Sequence, residues 1–117
     1  MRHLAGEEEK LMIMIVADSD ADELVDSLVG HGYPATKIGS TGGFLRRGNS
    51  TIMSGVNAHE VDEVLQFVRH VCRPRTEMIP LQSLPITGDG GPISDPLEVR
   101  VGGATVFVLN IERLEKV

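Results

Sequence analysis

The sequence predicts an α+β sandwich in a single domain, with an antiparallel sheet carrying two amphipathic helices on one face. Three observations carry that prediction. The chain has 117 residues, enough for one compact core and too few for two. Apolar residues recur at helical spacing in two stretches, and the segments between them are dense in apolar and β-branched residues. Hydrophobic residues make up 41% and charged residues 24%, a balance that excludes disordered and collagen-like chains.

Residues 1–10 carry no period and are expected to form a disordered tail ahead of one domain over 11–117. Leu11 to Ala17 is apolar at every position, as in a central strand covered on both faces. Asp20 and Glu23 are spaced as a capping box for a helix at about 21–31, with Leu24, Val25, Leu28 and Val29 on one stripe and Gly32 as terminator. Ala35 to Ser40 and Ser50 to Val56 read as strands around a 41–49 loop in which Gly42, Gly43 and Gly48 break either period. Asn57 and Glu60 form a second capping pair, followed by Val61, Val64, Leu65, Val68 and Val71 at helical spacing, and that helix ends before Pro74. Thr76 to Gln82 and Leu97 to Val101 read as short strands flanking 83–96, a long loop with three glycines and three prolines. Gly102-Gly103 reads as a hairpin turn into a last strand, Ala104 to Ile111.

This order is the split βαββαβ pattern of the ferredoxin-like sandwich, with an added strand pair and a long loop before the last strand. Two helices cover only one face of such a sheet. The other face, through Met12, Met14 and Ile52 or their alternates and Phe107, is expected to be covered by another copy of the chain, giving a homo-oligomer. The plainer reading, that these residues are the core of a monomer, stays open.

Net charge is −6, from 11 basic and 17 acidic residues, so nucleic acid polymers are unfavoured partners. The apolar run Leu11 to Ala17 is a third of a membrane span, and Glu7-Glu8-Glu9 stands where a signal peptide would be basic. A soluble, cytoplasmic protein with no membrane partner is expected. One cysteine, Cys72, allows no internal disulfide and no thiol-rich metal site.

Signatures of catalysis are sparse. His59 and His70 are 11 residues apart on one helix, about 16 Å by rise, and cannot share a metal. His31 reads as a partner for carbonyls at a helix end, and Cys72 as a packing residue. Asp18, Asp20, Asp22 and Asp26 could hold a divalent metal for phosphate hydrolysis, although capping and the helix dipole favour acids at a helix start anyway. Gly43 to Ser50 spaces its glycines like a phosphate-binding loop, but Asn49 replaces the required lysine and a strand follows in place of a helix.

The chain has four aromatic residues, Tyr33, Phe44, Phe67 and Phe107, and Phe44 stands in the glycine-rich loop. A phenyl ring there offers a stacking surface for a purine, glycine amides can approach an anion, Arg46 and Arg47 bring positive charge, and Asn49 can read a base edge. That set suits a nucleotide. The same glycines could serve only the turn, with Phe44 and Leu45 folded back as a lid on the core and the arginines solvated.

The strings Ala35-Thr36-Lys37, Thr41-Gly42-Gly43-Phe44-Leu45-Arg46, Gly48-Asn49, Gly55-Val56-Asn57, Val61-Asp62-Glu63 and Val101-Gly102-Gly103-Ala104-Thr105-Val106-Phe107-Val108 resemble the PII-like cyclic di-AMP receptor proteins of the PstA (DarA) type. The similarity runs from Leu11 to Ile111. It implies a PII-like ferredoxin fold, a homotrimer, binding of cyclic di-AMP between subunits, signal transduction through loops matching 41–49 and 83–96, and no catalysis or cofactor. By position it implies a phosphate or base contact at Thr36, an adenine platform at Gly43, Phe44 and Leu45, positive charge at Arg46, a base-edge reader at Asn49 and a close backbone approach at Gly55. The chain departs from the family at Gly32 and Pro34, where members carry an asparagine and an arginine. Arg47 is a candidate to supply the missing charge. A different adenine nucleotide is the alternative ligand, and a metal-dependent phosphohydrolase using Asp18 to Asp22 is the alternative of another class.

Overall fold

The computed structural model describes residues 9–39, 48–79 and 97–117. Strand β1, Glu9–Ala17, begins two residues before the apolar run and takes Glu9 and Lys10 out of the expected tail. Its residues alternate: Met12, Met14 and Val16 are buried, while Leu11, Ile13 and Ile15 are half-buried. An all-apolar strand is therefore covered fully on one side only within the protomer.

Helix α1, Asp18–Gly30, follows β1 without a loop and starts three residues earlier than the spacing predicted. The expected Asp20–Glu23 box is absent, because the residue before the helix is Ala17, which has no side-chain acceptor. The Asp18 N–H instead donates to Gly48 O at 2.8 Å. Ala21, Leu24 and Leu28 face the core, whereas Val29, placed on the stripe by spacing, is 55% exposed. The far end closes as expected at Gly32. Its φ of +87° suits only glycine well, and Gly32 and Tyr33 donate N–H groups to Val29 O and Leu28 O at 3.0 and 2.9 Å.

Strands β2, Thr36–Ile38, and β3, Asn49–Asn57, form the predicted pair; β2 is shorter than 35–40, and β3 includes Asn49. Asn57 donates its backbone N–H to Glu60 Oε1 at 2.9 Å, as the capping pair required, ahead of a 3-10 turn at Ala58–Glu60. Helix α2, Val61–Val71, buries Val64, Val68 and Val71 at spacings of four and three. Strands β4, Arg75–Ile79, and β5, Leu97–Val101, pair with each other in a separate two-stranded sheet. Strand β6, Ala104–Asn110, pairs with β1.

Gly102-Gly103 is thus not a hairpin turn. It is the corner at which the chain leaves the small sheet for the large one, with φ of +90° and +83° and the Gly103 N–H on Cys72 O. The four-stranded sheet has the order β2-β3-β1-β6 with antiparallel neighbours, so β6 takes the last-strand place of the ferredoxin-like sandwich.

The core lies between the helices and one sheet face, where Met12, Met14, Leu24, Leu28, Ile52, Val56 and Val64 are fully buried. Each such side chain contributes about 1.5–3 kcal/mol of burial free energy. The opposite face carries the alternates. Register sets Leu11 between Gly55 and Leu109, Ile13 between Met53 and Phe107, and Ile15 between Thr51 and Thr105. Phe107 and Leu109 there are 49% and 45% exposed.

Candidate functional site

Three of the binding residues inferred from sequence fall within the described residues, and all three lie on that open face. Asn49 and Gly55 occupy odd positions of β3, whose even positions Ser50, Ile52, Ser54 and Val56 are buried under the helices. Thr36 is exposed on β2 directly opposite Met53, which shares the face. The strand does not gather the three into one cluster. Asn49 and Gly55 are six residues apart, about 20 Å along an extended strand, and Thr36 sits toward the Gly55 end. Gly43, Phe44, Leu45, Arg46 and Arg47 lie outside the described residues, as does the 83–96 segment.

The Asn49 end is fastened on both sides. Gly48, with φ +89°, turns into the strand while its carbonyl accepts the Asp18 N–H, and the Ser50 hydroxyl donates to the Asp18 carboxylate. At the Thr36 end the Ser54 hydroxyl donates to Pro34 O. Gly32 terminates α1 through its positive φ, while the bond at position 34 uses a backbone carbonyl that any residue would offer.

The acidic turn does not converge. Asp18 accepts from Ser50, Asp20 is paired with Arg75 through bonds of 2.9 and 3.4 Å, and Asp22 stands 3.6 Å from Lys37 at the surface. Among the described residues no three His, Cys, Asp or Glu side chains come together as a metal site. His31 Nδ1 lies 2.7 Å from Ser27 O with its ring centroid 4.3 Å from that of Phe67, the helix-end role read from sequence.

Cys72 is 2% exposed. Burial, and then the nearby Asp20 charge, push its thiol up to about 11 from an ordinary 9.0. The thiolate is the reactive form, so two units leave about a hundredfold less of it near pH 8. Native protein is expected to react with iodoacetamide at pH 8 at least about a hundredfold more slowly than urea-unfolded protein. Comparable rates would show that the thiol is open.

Two features were not legible beforehand. One is Arg75, whose role depends on an aspartate 55 positions away in sequence. The other is an open cleft of about 430 Å³ between α2 and β6, floored by apolar residues including Leu65, Val68 and Val106 and bordered by Arg69 and Arg73. Val106 packs with the helices, so this cleft lies on the other side of the sheet from Thr36, Asn49 and Gly55.

Comparison with known proteins bears on the family and the fold. The family model described as "Cyclic-di-AMP receptor" matches residues 9–117. A crystal structure of a functionally unknown protein from Pediococcus pentosaceus is 36% identical, with a TM-score of 0.73, covering 96% of this chain and 100% of that one. A duf3240 family protein from Shewanella baltica is similar in fold alone, at 14% identity and a TM-score of 0.55, over 96% of this chain and 99% of the other. With a family match over nearly its whole length and a relative above one-third identity sharing the sandwich, the chain is a member of the cyclic-di-AMP receptor family.

Proposed function

We propose that this protein is a PII-like signal-transduction protein that binds cyclic di-AMP at clefts between the subunits of a homotrimer, and that occupancy orders loops which control a partner protein. The observation that carries the reading is the position of Thr36, Asn49 and Gly55 on an apolar sheet face that one protomer leaves open. A face this apolar is stable when another copy covers it, and residues standing on it are then at or beside a subunit boundary. The mechanism is a population shift: contacts to the ligand select ordered forms of flexible segments and so change the surface offered to the partner.

Calorimetry with cyclic di-AMP, cyclic di-GMP, ATP and AMP tests the ligand. The expected result is saturable binding, tightest for cyclic di-AMP. Asn49→Ala is expected to weaken it about three- to tenfold, the value of one neutral hydrogen bond. Arg47→Ala is expected to weaken it about tenfold or more if that side chain replaces the family's missing arginine. Tightest binding of ATP or AMP would establish the mononucleotide reading instead. Conversion of cyclic di-AMP to linear product in the presence of magnesium or manganese would establish a phosphohydrolase.

A further inference from the structure

The first turn of α1 holds two otherwise separate parts of the molecule. Its Asp18 takes the Gly48 carbonyl on its N–H at 2.8 Å and the Ser50 hydroxyl on its carboxylate, which clamps both neighbours of Asn49. Asp20, two residues on in the same turn and 4% exposed, accepts from Arg75 Nη2 at 2.9 Å and Nη1 at 3.4 Å. Arg75 is the first residue of β4, and its guanidinium also reaches Arg73 O at 3.1 Å and Glu77 Oε1 at 3.3 Å. Gly102, at the same end of the pair, where β5 turns away after Val101 opposite Arg75, packs against that same group of atoms: a Cβ there would meet Arg73 O and Arg75 Nη1.

The β4–β5 pair has no strand in common with the large sheet. Among the described residues its links to the rest of the molecule include the Asp20–Arg75 pair and, just beyond the two strands, the Gly103–Cys72 hydrogen bond. A two-pronged ion pair on a buried carboxylate is directional, and removing one partner leaves the other desolvated and unpaired. It therefore fixes the angle of β4 relative to α1 more stringently than packing would. Asp18 and Asp20 stand two residues apart in the first turn, so a displacement of that turn carries both.

We infer that Asp20 is a positioning residue through which a change at the Asn49 end of β3 is conveyed to the β4–β5 pair. The inference rests on the proposed function only in naming cyclic di-AMP as the natural cause of that change. The route is short and consists of named contacts: Gly48 and Ser50 to Asp18, one helical turn, Asp20 to Arg75. It predicts communication between two elements that share no sheet and lie on different parts of the chain.

Hydrogen exchange of the wild type, Ser50→Ala, Asp20→Asn and the double variant, each with and without cyclic di-AMP, tests it. Without ligand, Ser50→Ala is expected to speed exchange in 75–79 and 97–101 about threefold or more, although Ser50 touches neither strand, and to have no further effect there when Asp20 is already Asn. With ligand, slowed exchange is expected at 49–51 and in the β4–β5 pair of the wild type, and at 49–51 alone in Asp20→Asn. Should Asp20→Asn fail to fold, Arg75→Lys keeps the charge, loses the two-pronged geometry and carries the same expectation. Exchange in β4–β5 that ignores Ser50→Ala, or that responds equally with Asp20 replaced, overturns the inference whatever the ligand does. Absence of any ligand effect at 49–51 in the wild type overturns the ligand reading, and the ligand-free arm then decides the inference alone.

Discussion

Replacing Gly102 by alanine is expected to destabilise the fold by at least about 3 kcal/mol and to lower Tm by more than about 10 °C. Two effects add. At φ +90° an L-residue is strained by about 1–2 kcal/mol. The added Cβ would also lie 2.3 Å from Arg73 O and 3.0 Å from Arg73 C, and backbone atoms cannot rotate away as a side chain can. Relief requires the corner to open, which pulls on the Gly103–Cys72 hydrogen bond and on the Arg75 guanidinium 3.0 Å away. Gly103→Ala is the internal control, with φ +83° and nothing within 4 Å of its Cβ. It carries the conformational cost alone and should lose only about 1–2 kcal/mol. Urea unfolding of the two variants measures the difference. Equal losses would mean that the corner is soft and that its close approach does not matter.

The sandwich was legible because its signals are local. Val64, Val68 and Val71 repeat at helical spacing, Asn57 and Glu60 mark a helix start, and Gly32 marks a helix end, each within one or two turns of chain. The failures share a different origin. The Asp20–Glu23 pattern has the spacing of a cap, but the start of α1 was decided by Gly48, which lies 30 positions away and occupies the Asp18 N–H. Freed from capping, Asp20 serves Arg75. Gly102-Gly103 has the composition of a hairpin turn, yet β5 pairs with β4 and β6 with β1, partners that lie far away in sequence. Local spacing cannot express either choice. The same holds for the site. Loop composition supplied Asn49 as a candidate and resemblance supplied Thr36 and Gly55, but their common position on the open face follows only from the extent of β3 and its pairing with β2.

Ile13→Glu is expected to leave the protomer folded, to convert the proposed homotrimer to monomer, and to weaken the proposed cyclic di-AMP binding about a hundredfold or more. Ile13 sits at the middle of the open face, flanked by Met53 and Phe107 in register, and is only half-buried in the protomer. A carboxylate there can remain hydrated in a lone subunit, so folding loses little. Covering it with a second subunit strands an unpaired charge, which costs several kcal/mol and exceeds what one interface of this kind can absorb. On the proposed function binding falls with assembly, because the site proposed there lies between subunits. The adjacent substitution, Met14→Glu, separates this effect from general damage. Met14 is fully buried beneath the helices, and a charge there is expected to unfold the protomer itself. Light scattering, circular dichroism and calorimetry on the pair read size, fold and ligand separately. A trimeric Ile13→Glu with undiminished affinity would mean that subunits meet elsewhere and that the ligand does not depend on this face. A folded monomer that still binds tightly would assign the site to one protomer, with Asn49 or Thr36 acting alone.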